Sequence, residues 1–187
     1  MFGNSQTKGY GRLIGLVAGA GGLTAIALGA PVLRRRALYA TTILKKDHRL
    51  LSGLFWTLQK TTNAAMRKTI FTQIQNLIEI HTQAEEEIFY PAVQNLYTTA
   101  AQQQVAEARR EHQRIKDLCN QVLMHDPNSF EFISKVNELK ETLERHVEEE
   151  ENEMFPLAQS NTSGEELHHL GLRIHDRKVQ LKELIAA

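Results

Sequence analysis

Residues 81–91 read HTQAEEEIFYP, and residues 146–156 read HVEEEENEMFP. Both copies place Glu four and five residues after the His, an aromatic nine after it and Pro ten after it. On an α-helix, positions i and i+4 lie one above the other, so His81 with Glu85, and His146 with Glu150, each present an imidazole and a carboxylate together. A metal ion asks for that pairing.

The repeat reaches further back. Asp47-His48 precedes the first copy and Glu111-His112 the second; 64 residues separate His48 from His112, and 65 separate His81 from His146. Two related helical hairpins follow from this. Packed together, they would gather four helices, four histidines and two glutamates around one centre.

At 187 residues, the chain is long enough for one domain with a sizeable core plus an appendage. Lys and Arg number 22, as do Asp and Glu, so the broad basic field that nucleic acid would require is absent. Four prolines and little strand-like alternation point to an all-α fold. Cys119 is the single cysteine, which excludes an intrachain disulfide; on a helical stripe it reads as a packed thiol.

Residues 1–37 read as a tail and a membrane helix. From Leu13 to Leu33 there are 21 residues without a charge, about the length that crosses a hydrocarbon core, although five are glycine. Gly15 with Gly19, and Ala18 with Gly22, have the small-xxx-small spacing that allows homo-oligomer contact between membrane helices. A cleaved signal ending near Ala30 and a glycine-rich helix packed on protein are the competing readings; Pro31 and Arg34-Arg35-Arg36 argue against cleavage. Those arginines with Lys45 and Lys46 outweigh Lys8 and Arg12, which predicts a single-pass anchor with the C-terminal part on the cytoplasmic side.

The bundle is expected over residues 38–160. The first helix, about 38–61, carries Leu44, His48, Leu51, Phe55 and Leu58 on one face, with Trp56 beside it as a packing residue. A second, about 64–90, carries Ile74, Leu77, His81, Glu85 and Ile88, and Pro91 should kink or end it, leaving a connector through Tyr97. The third, about 99–124, turns His112 inward between Val105 and Ile115. The fourth, capped by Ser129, carries Leu139, Leu143, His146, Glu150 and Met154 and ends at Pro156. Residues 161–187 form an extra amphipathic helix opened by the capping-box pattern Ser163-Gly164-Glu165-Glu166, with His168, His169 and His175 solvated or at its rim.

Four of the eight histidines thus fall on buried stripes of four helices. An ionised Glu85 or Glu150 in a core needs a proton, a basic neighbour or a cation, and these stripes hold no Lys or Arg. A metal meets the need. Imidazole with carboxylate suits iron, manganese or zinc, and two carboxylates among four imidazoles suffice to hold two cations. The E-x-x-H arrangement of ferritin-like bundles is absent at these positions.

The two H-x-x-x-E-E…[YF]-P segments, preceded by the lone inward histidines His48 and His112, resemble the hemerythrin-like, or HHE cation-binding, domain over about residues 40–158. The resemblance implies an up-down-up-down four-helix bundle. It further implies that His48, His81, Glu85, His112, His146 and Glu150 ligate a non-haem di-iron centre bridged by Glu85 and Glu150, other divalent metals being open. Oxygen-carrying members have a fifth histidine four residues from another on the third helix. Here the positions four residues either side of His112 are Ala108 and Lys116. One iron would then keep an open or water-filled position, unless Glu86, Glu111 or Glu151 fills it rather than forming a solvent-facing edge.

Three functions are expected from this. The first is a membrane-tethered di-iron protein that binds or senses dioxygen, nitric oxide or peroxide, with Phe55, Ile88 and Leu143 keeping its pocket apolar. Iron storage, buffering or delivery is the second, and a metal-free interaction bundle the third. No second acid–base constellation or nucleophile is visible, so the sequence assigns no reaction.

Overall fold

The computed structural model describes residues 36–186, which are helical almost throughout. The stretch 13–33 and the anchor read into it lie outside these residues. Among the described residues no helix is long and apolar enough to cross a membrane.

The first hairpin joins α1 (Ala40–Lys60) to α2 (Ala64–Ala84) through a three-residue connector in which the Asn63 side chain accepts from Met66 N at 3.0 Å. From α2 the chain passes without a break through a π-helical turn, π1 (Glu85–Phe89), into α3 (Tyr90–Gln94). Thr98, whose hydroxyl accepts from Ala101 N, caps α4 (Thr99–Leu123), and Ser129 caps α5 (Phe130–Glu149). A second π-turn, π2 (Glu150–Met154), leads into α6 (Phe155–Asn161), and α7 (Gly164–Ala186) closes the described chain. The main pairings are α1 with α2 and α4 with α5; α1 also touches α5, and α2 touches α4, which closes a helical bundle.

The prolines do not end the helices as expected. Pro91 and Pro156 each fall in the first turn of the helix after a π-turn, where a residue without an N–H is tolerated; beside Pro91 the Glu86 carbonyl accepts from Arg109 instead. The preceding N–H groups, of Tyr90 and Phe155, reach back five residues to the carbonyls of Glu85 and Glu150. The second arm therefore runs on to Gln94, and the fourth to Asn161. Trp56 also departs from its expected packing role: it is 62% exposed, because it lies beside the apolar stripe of α1 rather than on it.

The core divides into two apolar clusters with a polar layer between them. On α1, Asp47 and His48 lie between Leu44 of one cluster and Leu51 of the other; on α2, His81 lies between Ala84 and Ile78; on α4, Glu111 and His112 lie between Ala108 and Ile115. Phe55 and Leu143 close the layer from one side and Ile88 from the other. The helix α7 packs on α1, α2 and π1, with Leu170 and Ile174 in the cluster that holds Ile43 and Leu44.

Candidate metal centre

All six residues singled out by the sequence converge in this polar layer and are buried. His48, His81, Glu85 and Glu150 offer one group of ligand atoms, and Glu85, His112 and His146 a second, every atom of a group lying within 4.8 Å of the others. Glu85 belongs to both. Its Oε2 stands 3.2 Å from His81 Nε2 and 3.4 Å from His112 Nε2, while Glu150 Oε2 stands 3.4 Å from His48 Nε2 and 3.7 Å from His146 Nε2. Each carboxylate thus faces both histidine pairs.

The outer faces of the four imidazoles are held by four further carboxylates. His81 Nδ1 donates to Asp47 at 3.2 Å, His146 Nδ1 to Glu111 at 3.1 Å, His112 Nδ1 to Glu86 at 2.9 Å and His48 Nδ1 to Glu151 at 2.8 Å. The quartet follows the repeat: Asp47 and Glu111 precede the lone histidines, and Glu86 and Glu151 follow the inward glutamates. Glu86, Glu111 and Glu151 are therefore neither a free edge nor spare inner ligands, because each is committed to an imidazole. The π-turns make this possible by letting Glu85 and its neighbour Glu86 both reach His112, one on each ring nitrogen.

These four carboxylates are ionised acceptors. The hydrogen bond from His112, against burial and with Lys116 beside it, brings Glu86 down to about 2. Burial alone would raise Asp47, but the His81 hydrogen bond and the Lys178 charge outweigh it and hold it below the usual range. Glu111 and Glu151 are lowered in the same way, against burial, by the hydrogen bonds from His146 and His48. An ionised acceptor at each Nδ1 places the ring proton there and leaves every Nε2 as a lone pair in the neutral imidazole.

Those lone pairs point at one another. His48 Nε2 and His81 Nε2 are 3.2 Å apart, and His112 Nε2 and His146 Nε2 are 3.1 Å apart. Both oxygens of Glu85 and Oε2 of Glu150 are buried with no hydrogen-bond partner. Acceptor facing acceptor in a desolvated layer requires something positive between them: a shared proton or a cation.

Without a cation, protons do this work unevenly. Burial, reinforced by the Glu150 charge, pushes the Glu85 carboxyl well up, so it holds a proton. Burial opposes ionisation of Glu150 too, yet the charge of His146 beside it lowers it below the usual carboxylate range. Burial brings His81 down to about 4 and also lowers His112, whereas for His146 the charge of Glu150 and the Glu111 hydrogen bond overcome burial and raise it. A donor set of four imidazole nitrogens and two shared carboxylates, with outer partners fixing each ring, could hold metal.

Tyr90 is a further residue of the layer to which the spacing argument gave no role. Its hydroxyl donates to Glu150 Oε1 at 2.8 Å and lies 3.0 Å from His112 Nε2, with its ring stacked on the His112 ring. Burial and the Glu150 charge keep it protonated by raising it well above the phenol range. The matching position of the repeat is Phe155, stacked on His48. The hydroxyl therefore marks only the His112–His146 half. Its one signal in the sequence was Tyr against Phe at a shared aromatic position. His169 and His175 are exposed and His168 is half-buried, and none belongs to either group.

The chain matches the model of the hemerythrin HHE cation binding domain over residues 39–158. A solved structure of a hemerythrin HHE cation binding domain-containing protein from Mycobacterium kansasii superposes with a TM-score of 0.69 at 26% identity, covering 78% of this chain and 88% of that one. An uncharacterised hemerythrin-like protein of Schizosaccharomyces pombe is 26% identical over 67% of this chain and 62% of its own length. A protein of Nostoc sp. named a DNA nickase is 26% identical over 75% of this chain, which spans 39% of the length of that relative. With a family match over most of its length and a buried His/Glu cluster in the matched region, the chain belongs to the hemerythrin HHE cation-binding family.

Proposed function

We propose that this protein is a non-haem di-iron protein that binds or senses dioxygen or a related small oxidant. His48 and His81 would hold one ion, His112 and His146 the other, and Glu85 and Glu150 would be shared between them. The observation that carries this reading is the opposition of Nε2 lone pairs in two pairs, each faced by both carboxylates. Bound iron would supply electrons to a small oxidant at the polar layer. The chain's own part is to fix the four rings through Asp47, Glu86, Glu111 and Glu151, and to keep the layer between two apolar clusters. Tyr90 adds an oxygen and a proton donor on one side only.

Residues 13–33 would tether the domain, with Arg34, Arg35 and Arg36 holding it on the cytoplasmic side. Lys45, counted with those arginines, has a second duty: it pairs with Glu151 at 3.1 Å behind His48.

Metal analysis of the full chain purified without air tests the reading, with visible absorption recorded before and after oxygen is admitted. About two irons per chain and an oxygen-dependent band are expected. Bound iron indifferent to oxygen and quickly lost to a chelator would turn the assignment to iron storage or delivery. A helical protein that takes up no metal would leave an interaction bundle.

A further inference from the structure

Two equivalent grooves flank the centre, one per hairpin, and the chain treats them oppositely. In the first, α7 lies over α1 and the arm formed by α2 and π1. The residues beneath it include Ile43, Ala84 and Ile88, which share a buried cluster with Leu170 and Ile174 of α7. Lys178 of α7 pairs with Asp47, and Arg177 pairs with Glu87 at 2.7 Å, so basic groups seal that side.

Moving by the repeat, 64 residues from α1 to α4 and 65 between the second arms, turns Ile43 into Glu107, Ala84 into Glu149 and Ile88 into Glu153. Among the described residues no helix covers this second groove. A cleft of about 580 Å³ opens there between α4 and the α5–π2 arm, lined by the three exposed glutamates, and it reaches His146 and Glu150. Leu44, fully buried in the first hairpin, becomes Ala108 here, and the smaller side chain lines the cleft. Arg110 is the one Lys or Arg along the lining, and it is paired with Glu107. Three carboxylates alone would be an ordinary solvated face. The distinguishing feature is the inner end: Glu150 is 1% exposed, and its Oε2 has no hydrogen-bond partner.

We infer that this cleft is the route by which divalent metal reaches and leaves the centre, Glu107, Glu149 and Glu153 drawing the hydrated cation inward and Glu150 receiving it. The inference rests on the metal-binding reading of the centre and adds the path and its charge selectivity. A cleft lined by one sign of charge concentrates the opposite ion and speeds its association about 10-fold to 1,000-fold, an effect that falls steeply with salt. A second cleft that touches a histidine of the centre, about 320 Å³ and reaching His48, has a weaker bias: Arg49 and Lys140 stand against Glu144, Glu148 and Glu151, and Glu151 is itself paired with Lys45 and His48.

The test is stopped-flow loading of the metal-free full chain with Co2+, followed by visible absorption, at several ionic strengths. Glu149→Gln/Glu153→Gln is compared with wild type and with Glu144→Gln/Glu148→Gln, which removes the same charge beside the other cleft. All four positions are exposed and glutamine has the same shape, so folding is retained. The cleft variant should load at least about ten-fold more slowly at low salt, with a weaker salt dependence and the same final stoichiometry, while the control loads like wild type. Equal rates in wild type and the cleft variant would overturn the route, as would equal slowing in both variants. A wild-type chain that binds no Co2+ at any concentration would instead overturn the metal centre itself.

Discussion

Replacing Glu85 by Gln should have opposite effects on the protein with and without metal. In the metal-free fold both Glu85 oxygens are buried and unpartnered, and burial with the nearby Glu150 charge raises its pKa well above 4.5. The folded carboxyl therefore keeps its proton where the unfolded one has lost it. The sign follows: this group's contribution is greatest below pH 4.5 and declines by about 1.4 kcal/mol per pH unit until the folded carboxyl itself ionises. Glutamine is isosteric with the protonated acid and cannot ionise. Metal-free Glu85→Gln should match wild type near pH 4.5, exceed it at neutral pH and lack this slope. With metal the order reverses, because the shared carboxylate is gone. If affinity falls about a hundred-fold, stabilisation by excess metal shrinks by about 2.7 kcal/mol, or about 5–11 °C in midpoint for a chain of this size. Urea unfolding between pH 4.5 and 8, with chelator and with anaerobic Fe2+, measures both halves. A metal-free variant less stable than wild type at pH 7 would refute the protonated state of Glu85, and equal stabilisation of both proteins by metal would refute its role as a ligand.

Tyr90→Phe keeps the stacked ring, as Phe155 does in the second repeat, but removes the hydrogen bond to an ionised Glu150; metal-free stability should fall by about 1.5–3 kcal/mol in urea unfolding. Gly171→Ala would place a Cβ 1.8 Å from the Leu38 carbonyl and 2.9 Å from Ala40 N, so α7 must shift away from α1 at a cost of about 1–3 kcal/mol, read as a lower melting midpoint. Burial pushes the Cys119 thiol up to about 12, so it should resist a thiol reagent at pH 8 in the folded protein and react at once in denaturant.

What the sequence disclosed follows from the range of each interaction. His81 with Glu85, and His146 with Glu150, are one helical turn apart, so their shared face is legible from spacing alone. His48 and His112 were legible because each interrupts an apolar stripe. The outer carboxylates were not: Glu86, Glu111 and Glu151 sit in acidic runs typical of a solvated face, and Glu151 meets His48 across 103 residues. The π-turns were hidden because a proline after a periodic segment reads as a stop, and only the widened turn carries the helix past it. The amphipathic character of α7 was plain, but its choice of groove depends on Ile43, Ala84 and Ile88 being apolar where their counterparts are glutamates. That difference is visible only once the two repeats are aligned in space. Tyr90 illustrates the same limit, since one hydroxyl separates it from Phe155.

The crosswise sharing of Glu85 and Glu150 also has a mechanical meaning. Glu85 of the first hairpin reaches His112 of the second, and Glu150 of the second reaches His48 of the first. Ions held by both would fasten the hairpins together and close a loop of about a hundred residues. In a chain with one cysteine no disulfide can do this. For a cross-link of that span, the loss of freedom in the unfolded chain contributes on the order of 4–5 kcal/mol. The centre would then be the clasp that turns two hairpins, each with its own half of the ligands, into one unit that melts as a whole.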